Sequence, residues 1–366
     1  MEVCEIIEAA FKNIIPDCNI IKIPMADGGE GTVDSALFAT KGILKKVTVT
    51  GPLGNIVEAE YGLIPNTQTA IIEMASASGI ELLKNDELNP LITTTYGTGE
   101  LIVHIIENEK HLKEIIIGIG GSATVDGGCG MAQALGYQFF DSEGNEVEFG
   151  GGNLSKIATI SDAKVNPKIK DIKIRVACDV TNPLLGETGA AKVFAPQKGA
   201  TPAMVEKLEA GLSNLFSISK EMGFIKNEAP GDGAAGGLGF GLRAFCNATI
   251  ESGAELLIEV TGLKKHLSNC DLIITGEGCT DGQTVDGKLC SVIAKAAKEA
   301  DVPVILLSGS LKGDLQQINN MFNGAFSISA GPESLEEAIH NGKANLYSTA
   351  LNTAKLCLVL SKTCSK

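Results

Sequence analysis

Along the chain, short β-branched runs alternate with glycine- and acid-rich loops, and these with segments of helical spacing. Asn19–Ile23 leads into PMADGGEGT and VDSALFATKG; Glu114–Gly118 leads into IGGSATVDGG and CGMAQALG. Asp271–Thr275 leads into GEGCTDGQTVDGK and SVIAKAAKEA, while Val302–Leu307 and Ala325–Ser329 begin further repeats of the arrangement. Continuous apolar strands alternating with helices predict an α/β fold with a doubly wound, mostly parallel sheet covered on both faces. Loops at the carboxyl ends of such strands gather into one crevice, where ligands bind. The glycine–acid loops all fall on that side.

Two regions break the pattern. Lys46–Ala75 alternates apolar and polar positions between hairpin-like turns, which predicts a mixed or antiparallel sheet. From about 132 to 245 the strands YQFF and KIRVACDV lie between long loops, with a helix predicted near Pro202–Lys220. Both regions are expected in a second domain inserted into the first, since 366 residues exceed one ordinary core. EVCEIIEAAF predicts a helix directly after Met1, where a doubly wound domain normally opens on a strand. The last helix is predicted to open at a capping box, Ser334 with Glu337.

A net charge of −14 without any Lys/Arg cluster argues against nucleic acid and anionic membranes as partners. No apolar run reaches the roughly 18 residues that a membrane span needs, and no leader is expected. The 10 cysteines include no C-x-x-C pair, which predicts reduced thiols in a cytoplasmic protein. The 43 glycines cluster in loops, where they serve tight turns or bring backbone close to ligands.

Gly282-x-x-x-x-Gly287-Lys288 nearly makes a P-loop, but Leu289 stands where Ser or Thr would hold magnesium. The expected strand also ends well before it, at Thr275. Glu277, Asp281, Asp286 and Lys288 in one such loop point instead to a metal and phosphate site, with a structural turn as the plainer reading. Gly118-Ile119-Gly120-Gly121-Ser122-Ala123 fits the G-x-G-x-x-A fingerprint, and Asp141 follows about twenty residues on, as in an NAD-dependent oxidoreductase. A phosphate site of ATP type on that loop needs only its amides and the Ser122 hydroxyl. Asp27 and Glu30 flank two glycines, so a magnesium ion between them or a helix N-terminus would relieve their repulsion. Asp179 follows a strand and suits the acceptance of a hydroxyl proton in phosphoryl transfer. Lys198 in APQKGAT could neutralise a carboxylate or phosphate, although most lysines are solvated. The four histidines lack metal-ligand spacing and receive no role.

PMADGGEGTVD, TVTGPLG, TTTYGTGEL, GIGGSATVDGG, ACDVTNPLLG, PQKGAT, GAAGGLGFGL and TGEGCTDGQTVDGK follow one another in fixed order. The series resembles the bacterial type I glycerate kinase family over essentially the whole chain. The resemblance implies phosphorylation of D-glycerate by ATP and Mg²⁺ to 2-phosphoglycerate, with 3-phosphoglycerate as the other product, in organic acid and glyoxylate metabolism. It also implies a flavodoxin-like α/β domain formed by 1–45, about 90–130 and about 250–366. A mixed α/β domain of about 46–89 and 131–249 is then inserted, with the site between the two. On this footing ATP phosphates lie over Gly120, Gly121 and Ser122, with Gly276 and Gly278 also at the nucleotide. Asp27, Glu30 or Glu277 carries Mg²⁺; Asp179 or Asp281 takes the hydroxyl proton; Lys198 and Lys288 balance charge. D-glycerate is the expected small-molecule partner, and a homodimer remains open.

Three departures stand out. Family members open on a strand ending in Pro-Asp-Ser-Phe-Lys, and this sequence begins after it. Cys279 and Val125 replace a family arginine and asparagine. A lost arginine removes a permanent charge and a bidentate fork. A catalytically impaired, ligand-binding member is therefore the second alternative beside the oxidoreductase.

Overall fold

The computed structural model describes every residue except 27, 282–288, 314 and 365–366. The chain forms two compact units: Ala26–Leu257, and the paired segments Met1–Met25 and Ile258–Lys366. It opens with α1 (Glu2–Ile14), then enters the larger unit through α2 (Thr32–Thr40). Strands β1 (Ile43–Thr50), β2 (Ile56–Ile64) and β3 (Thr69–Glu73) follow, then α3 (Ala75–Ser78), α4 (Tyr96–Asn108) and β4 (Glu114–Gly118). The unit continues through α5 (Cys129–Ala134), β5 (Gln138–Phe140), β6 (Thr159–Ser161) and β7 (Lys173–Ala177). It ends with α6 (Ala190–Phe194), α7 (Pro202–Glu221), α8 (Ala234–Cys246), β8 (Thr249–Glu251) and the start of α9 (Gly253–Thr261). The smaller unit adds α10 (Leu263–Leu267), β9 (Ile273–Thr280), α11 (Leu289–Glu299), β10 (Val304–Leu311), α12 (Leu315–Met321), β11 (Gly324–Ser327) and α13 (Leu335–Cys364).

The large unit is built on a six-stranded sheet of order β1-β2-β3-β4-β7-β8. β1–β2 and β2–β3 pair antiparallel, as the hairpin signals predict, whereas β3–β4, β4–β7 and β7–β8 are parallel. Ile71, Ile72, Ile115, Ile116, Ile117 and Val176 are buried at its centre, the unbroken apolar reading that a sheet covered on both faces requires. On α4, Leu101, Ile102 and Ile105 recur at helical spacing and join the same core. β5 and β6 form a separate antiparallel pair. In the small unit β9, β10 and β11 form a parallel three-stranded sheet. The fold is thus mixed α/β with mostly parallel pairing.

The units cut across the partition expected from sequence. Segments 26–45 and 90–130 share a unit with β1–β3 and not with 258–366. The reason lies in pairing: β4 finds its ladder partners in β3 and β7, so its loop belongs to the larger sheet. Asn19–Ile23 is not a strand; it runs as irregular chain, with Ile23 and Met25 packed against the small unit's core. β-propensity without a partnering strand does not make a strand. The last helix does open as predicted: Ser334 Oγ accepts from Glu337 N at 3.2 Å while Glu337 Oε2 accepts from Ser334 N at 2.9 Å.

The glycine-rich start of α8 carries a left-handed run, Ala235, Gly236 and Gly237, with φ of 53°, 66° and 88°. It lies against the loop after β4, and a Cβ on Gly236 would sit 1.9 Å from the Thr124 carbonyl oxygen. Gly236→Ala is therefore expected to cost at least about 3 kcal/mol in urea unfolding, through overpacking against backbone. Gly223→Ala, at φ 82° with open space around it, should cost only about 1 kcal/mol. Equal losses would refute the close-approach argument.

Candidate functional site

The loop leaving β4 is anchored from several sides within the larger unit. Backbone approach fixes its start: a Cβ on Gly118 would lie 2.6 Å from the Gly28 carbonyl oxygen, and one on Gly28 2.8 Å from that of Ala177. The loops after β4 and β7 and the turn before α2 therefore touch through bare backbone. The Gly120 amide donates to Gly28 O at 3.4 Å, Ile80 N donates to Gly121 O at 2.8 Å, and Ala123 N donates to Ser78 O at 3.0 Å. Among the described residues the Gly121 and Ser122 amides have no protein acceptor, so of the expected phosphate-binding amides these two are unengaged.

Lys198 supports this loop from inside the protein. A turn at Pro196–Lys198, closed by left-handed Gly199, presents the side chain, which is only 1% exposed. Its Nζ donates to Ser122 Oγ at 2.6 Å and to Thr124 O at 2.8 Å. Burial pushes its pKa down to about 7, partly opposed by the negative charge of Asp126. The charge-balancing lysine expected from sequence is thus turned towards the protein's own loop.

Asp126 anchors the far side. Fully buried, its Oδ2 accepts from Thr95 N and Thr95 Oγ1, both at 2.8 Å, and from Gly130 N at 3.2 Å. Oδ1 accepts from Gly128 N at 3.1 Å. Burial pushes this carboxyl above the usual aspartate range, against the pull of those hydrogen bonds. Thr95 Oγ1 in turn accepts from Met131 N at 2.9 Å, and Thr93 Oγ1 donates to Ala123 O at 2.9 Å. The TTTY segment before α4 is therefore the polar lining beneath the loop.

This geometry is not that of a dinucleotide fold. Residues 119–128 are irregular and the next helix begins only at Cys129, whereas the fingerprint turn feeds straight into a helix whose N-terminus meets pyrophosphate. Asp141 closes a local turn, accepting from Glu143 N and Asn145 N, both at 2.9 Å.

The remaining acids divide by role. Glu30 is exposed on the turn before α2, and Asp27 lies outside the described residues. Glu73, at the end of β3, accepts from Val33 N at 2.8 Å and caps α2; burial pushes its carboxyl up. Asp179 is exposed beyond β7, and its Oδ1 accepts from Ser252 Oγ at 3.0 Å and Gly253 N at 2.9 Å, at the start of α9. In the small unit, β9 does not stop at Thr275: it pairs with β10 as far as Thr280, which makes Gly276, Glu277, Gly278 and Cys279 strand residues. The Thr280 hydroxyl donates to Glu277 Oε1 at 2.8 Å and lies 2.9 Å from Ser308 Oγ. Cys279 is exposed opposite Ser310, and Asp281 follows the strand directly. Lys288 and Asp286 lie outside the described residues. Among the described residues no three candidate metal ligands cluster. Magnesium that arrives with phosphates needs only one or two carboxylates, and an exposed Glu30 fits that demand.

Sequence reasoning missed Asp126, Thr95 and Glu73 as working residues. Asp126 was visible in SATVDGG, but its donors lie in a distant segment, and no local pattern links the two.

A mixed α/β protein with glycine-rich loops at strand carboxyl ends, one of them rigidly propped, has the layout of an enzyme acting on small molecules. The profile of the Glycerate kinase family matches residues 1–358. The chain is 46% identical over 356 residues to a glycerate kinase of Halalkalibacterium halodurans, covering 97% of this chain and 93% of that one. It is 44% identical over 355 residues to the glycerate 2-kinase of Escherichia coli K12, covering 96% and 93%. A crystal structure of a candidate glycerate kinase 2 from Salmonella typhimurium LT2 superposes with a TM-score of 0.88 at 42% identity, covering 99% of this chain and 95% of the other. The chain belongs to the glycerate kinase family and is a kinase enzyme. The oxidoreductase reading is not supported.

The Lys198 environment has a pH signature. Unfolded, the amine holds its proton up to about pH 10.4; folded, it releases it near 7. Between those values the unfolded chain binds more protons, so stability rises with pH. Urea unfolding of the protein relative to Lys198→Met should therefore improve from about pH 6.5 to about pH 9.5, and a flat difference would contradict the buried amine.

Proposed function

We propose that the chain transfers the γ-phosphoryl group of ATP to the 2-hydroxyl of D-glycerate, producing 2-phosphoglycerate, as a cytoplasmic enzyme of organic acid metabolism. The observation that carries the reading is the family match across residues 1–358, strengthened by a relative named glycerate 2-kinase at 44% identity. Phosphoryl transfer asks the protein mainly for positioning and charge, and little covalent chemistry. The Gly121 and Ser122 amides receive phosphate oxygens, held in place by a loop that cannot sag. Asp179 accepts the hydroxyl proton as the glycerate oxygen attacks phosphorus. Glu30 and Asp27 in the larger unit are the carboxylates that would hold magnesium, which when bound supplies positive charge to the phosphates.

A coupled assay for ADP with D-glycerate, ATP and Mg²⁺ tests the reaction, and phosphorus NMR of the product tests its position. Absence of turnover would overturn the activity; 3-phosphoglycerate as product would overturn only the regiochemistry.

Asp179→Asn separates chemistry from architecture. Asparagine still caps a helix, so unfolding free energy should change by only a few tenths of a kcal/mol. The rate should nevertheless fall by roughly 10²–10⁴-fold, the usual worth of a positioned general base. An unchanged kcat would remove Asp179 from the mechanism. Cys279→Arg restores the charge carried by the family motif and should raise kcat/KM; a decrease would show that the thiol is the better residue in this chain.

A further inference from the structure

Lys198 poses a problem that its expected role does not solve. A lysine that neutralises substrate must reach substrate, yet this one is enclosed by protein, with Nζ on Ser122 Oγ and Thr124 O. Burying an amine is costly unless its donors are matched, and here the matching acceptors come from a single stretch of loop. Within that stretch Thr124 Oγ1 is buried without a hydrogen-bond partner, and the Thr124 carbonyl is engaged by Lys198. Its neighbours Gly121 and Ala123 are held by backbone bonds to residues 78–80 on the opposite side. Lys198 adds ties at the Ser122 hydroxyl and the Thr124 carbonyl, which, among the described residues, those bonds and the Thr93 hydroxyl on Ala123 O leave unheld. Asp126, the charged group that faces it, is already saturated by Thr95, Gly128 and Gly130. The amine is thus directed to the loop and is not the partner of a salt bridge.

We infer that Lys198 is a positioning residue: it acts through Ser122 and Thr124 to hold the Gly121–Thr124 loop in the form that presents the Gly121 and Ser122 amides to phosphate, without touching substrate. The functional half of this inference rests on the phosphate role proposed for that loop. The structural half does not, because it stands on hydrogen bonds within the protein itself.

The geometry makes arginine a discriminating substitution. A lysine that contacts substrate from an open site tolerates Arg, since charge is kept. An enclosed lysine does not, because the planar guanidinium is larger and cannot make the same two contacts. Hydrogen–deuterium exchange on ligand-free protein should show the peptide spanning 119–126 exchanging about tenfold faster or more in Lys198→Met and in Lys198→Arg, with β3 and β7 peptides unchanged. In the assay, both variants should raise KM for ATP and lower kcat by about 10²-fold, while KM for D-glycerate stays within about threefold. Ser122→Ala removes one of the two acceptors with little change in volume, and should give an intermediate acceleration in the same peptide. It decides the matter if the Lys198 variants fail to fold.

Unchanged exchange over 119–126 in a folded variant would overturn the inference. So would recovery of wild-type rate by arginine, or an effect confined to KM for D-glycerate. If the unmodified chain shows no turnover yet the exchange responds, the proposed reaction falls and the loop anchor stands.

Discussion

A carboxylate sealed from water has to find its donors within the protein, and Asp126 finds them in two chain segments at once. Thr95 brings the entry of α4; Gly128 and Gly130 bring the entry of α5. An unpaired charge at that depth would cost several kcal/mol, so the two helix starts and the loop between β4 and α5 must be correctly placed together or not at all. The glycines between them follow from the same demand. Only residues without side chains allow the start of α8 to lie directly on this loop, as the close contact of Gly236 with Thr124 shows. The ordered loop is a result of this constraint, and the phosphate chemistry proposed for it depends on that order.

Acids elsewhere in the larger unit follow a related rule. Glu73 closes the start of α2 and Asp179 the start of α9, in each case from a position at or just beyond the carboxyl end of a strand. Helix N-termini carry unmatched amides and partial positive charge, so an acid placed there is stabilised wherever it comes from. This gives Asp179 two possible loyalties, to the helix through Oδ1 and to a substrate hydroxyl in the proposed reaction. A general base held this firmly loses little freedom when it acts, which is the kind of preorganisation that phosphoryl transfer rewards.

Much of this was legible in the sequence where one segment determined the answer. The β-branched runs gave β4, β7, β9, β10 and β11, the alternation of Lys46–Ala75 gave the antiparallel edge, and Ser334 with Glu337 gave the start of α13. Sheet membership was not legible, because whether β4 pairs with β3 or β9 is decided by partners far along the chain. The same limit explains Asn19–Ile23, a good strand sequence without a strand, and β9, which the ladder with β10 carries past its glycines to Thr280. Among candidate residues, Ser122 and Asp179 were singled out in loops that follow predicted strands, and both lie beyond the ends of β4 and β7. Lys198 was singled out because its motif announced a charge, and only the fold reveals that the amine is enclosed. Asp126 and Thr95 were overlooked as a pair because their partnership spans two motifs.

The smaller unit is closed by a contact between distant parts of the chain. Ala10 of α1 packs with Leu346 and Ala350 of α13, and Asn13 donates to the Tyr347 hydroxyl at 3.1 Å. The apolar face of α1 has its counterparts in β10 and α13, which follow it only after the whole of residues 26–257. Residues 26–257 supply every strand of the six-stranded sheet, so that sheet can form before the smaller unit closes. Assembly is thus ordered by connectivity: the interrupted unit closes only when α13 is available to α1.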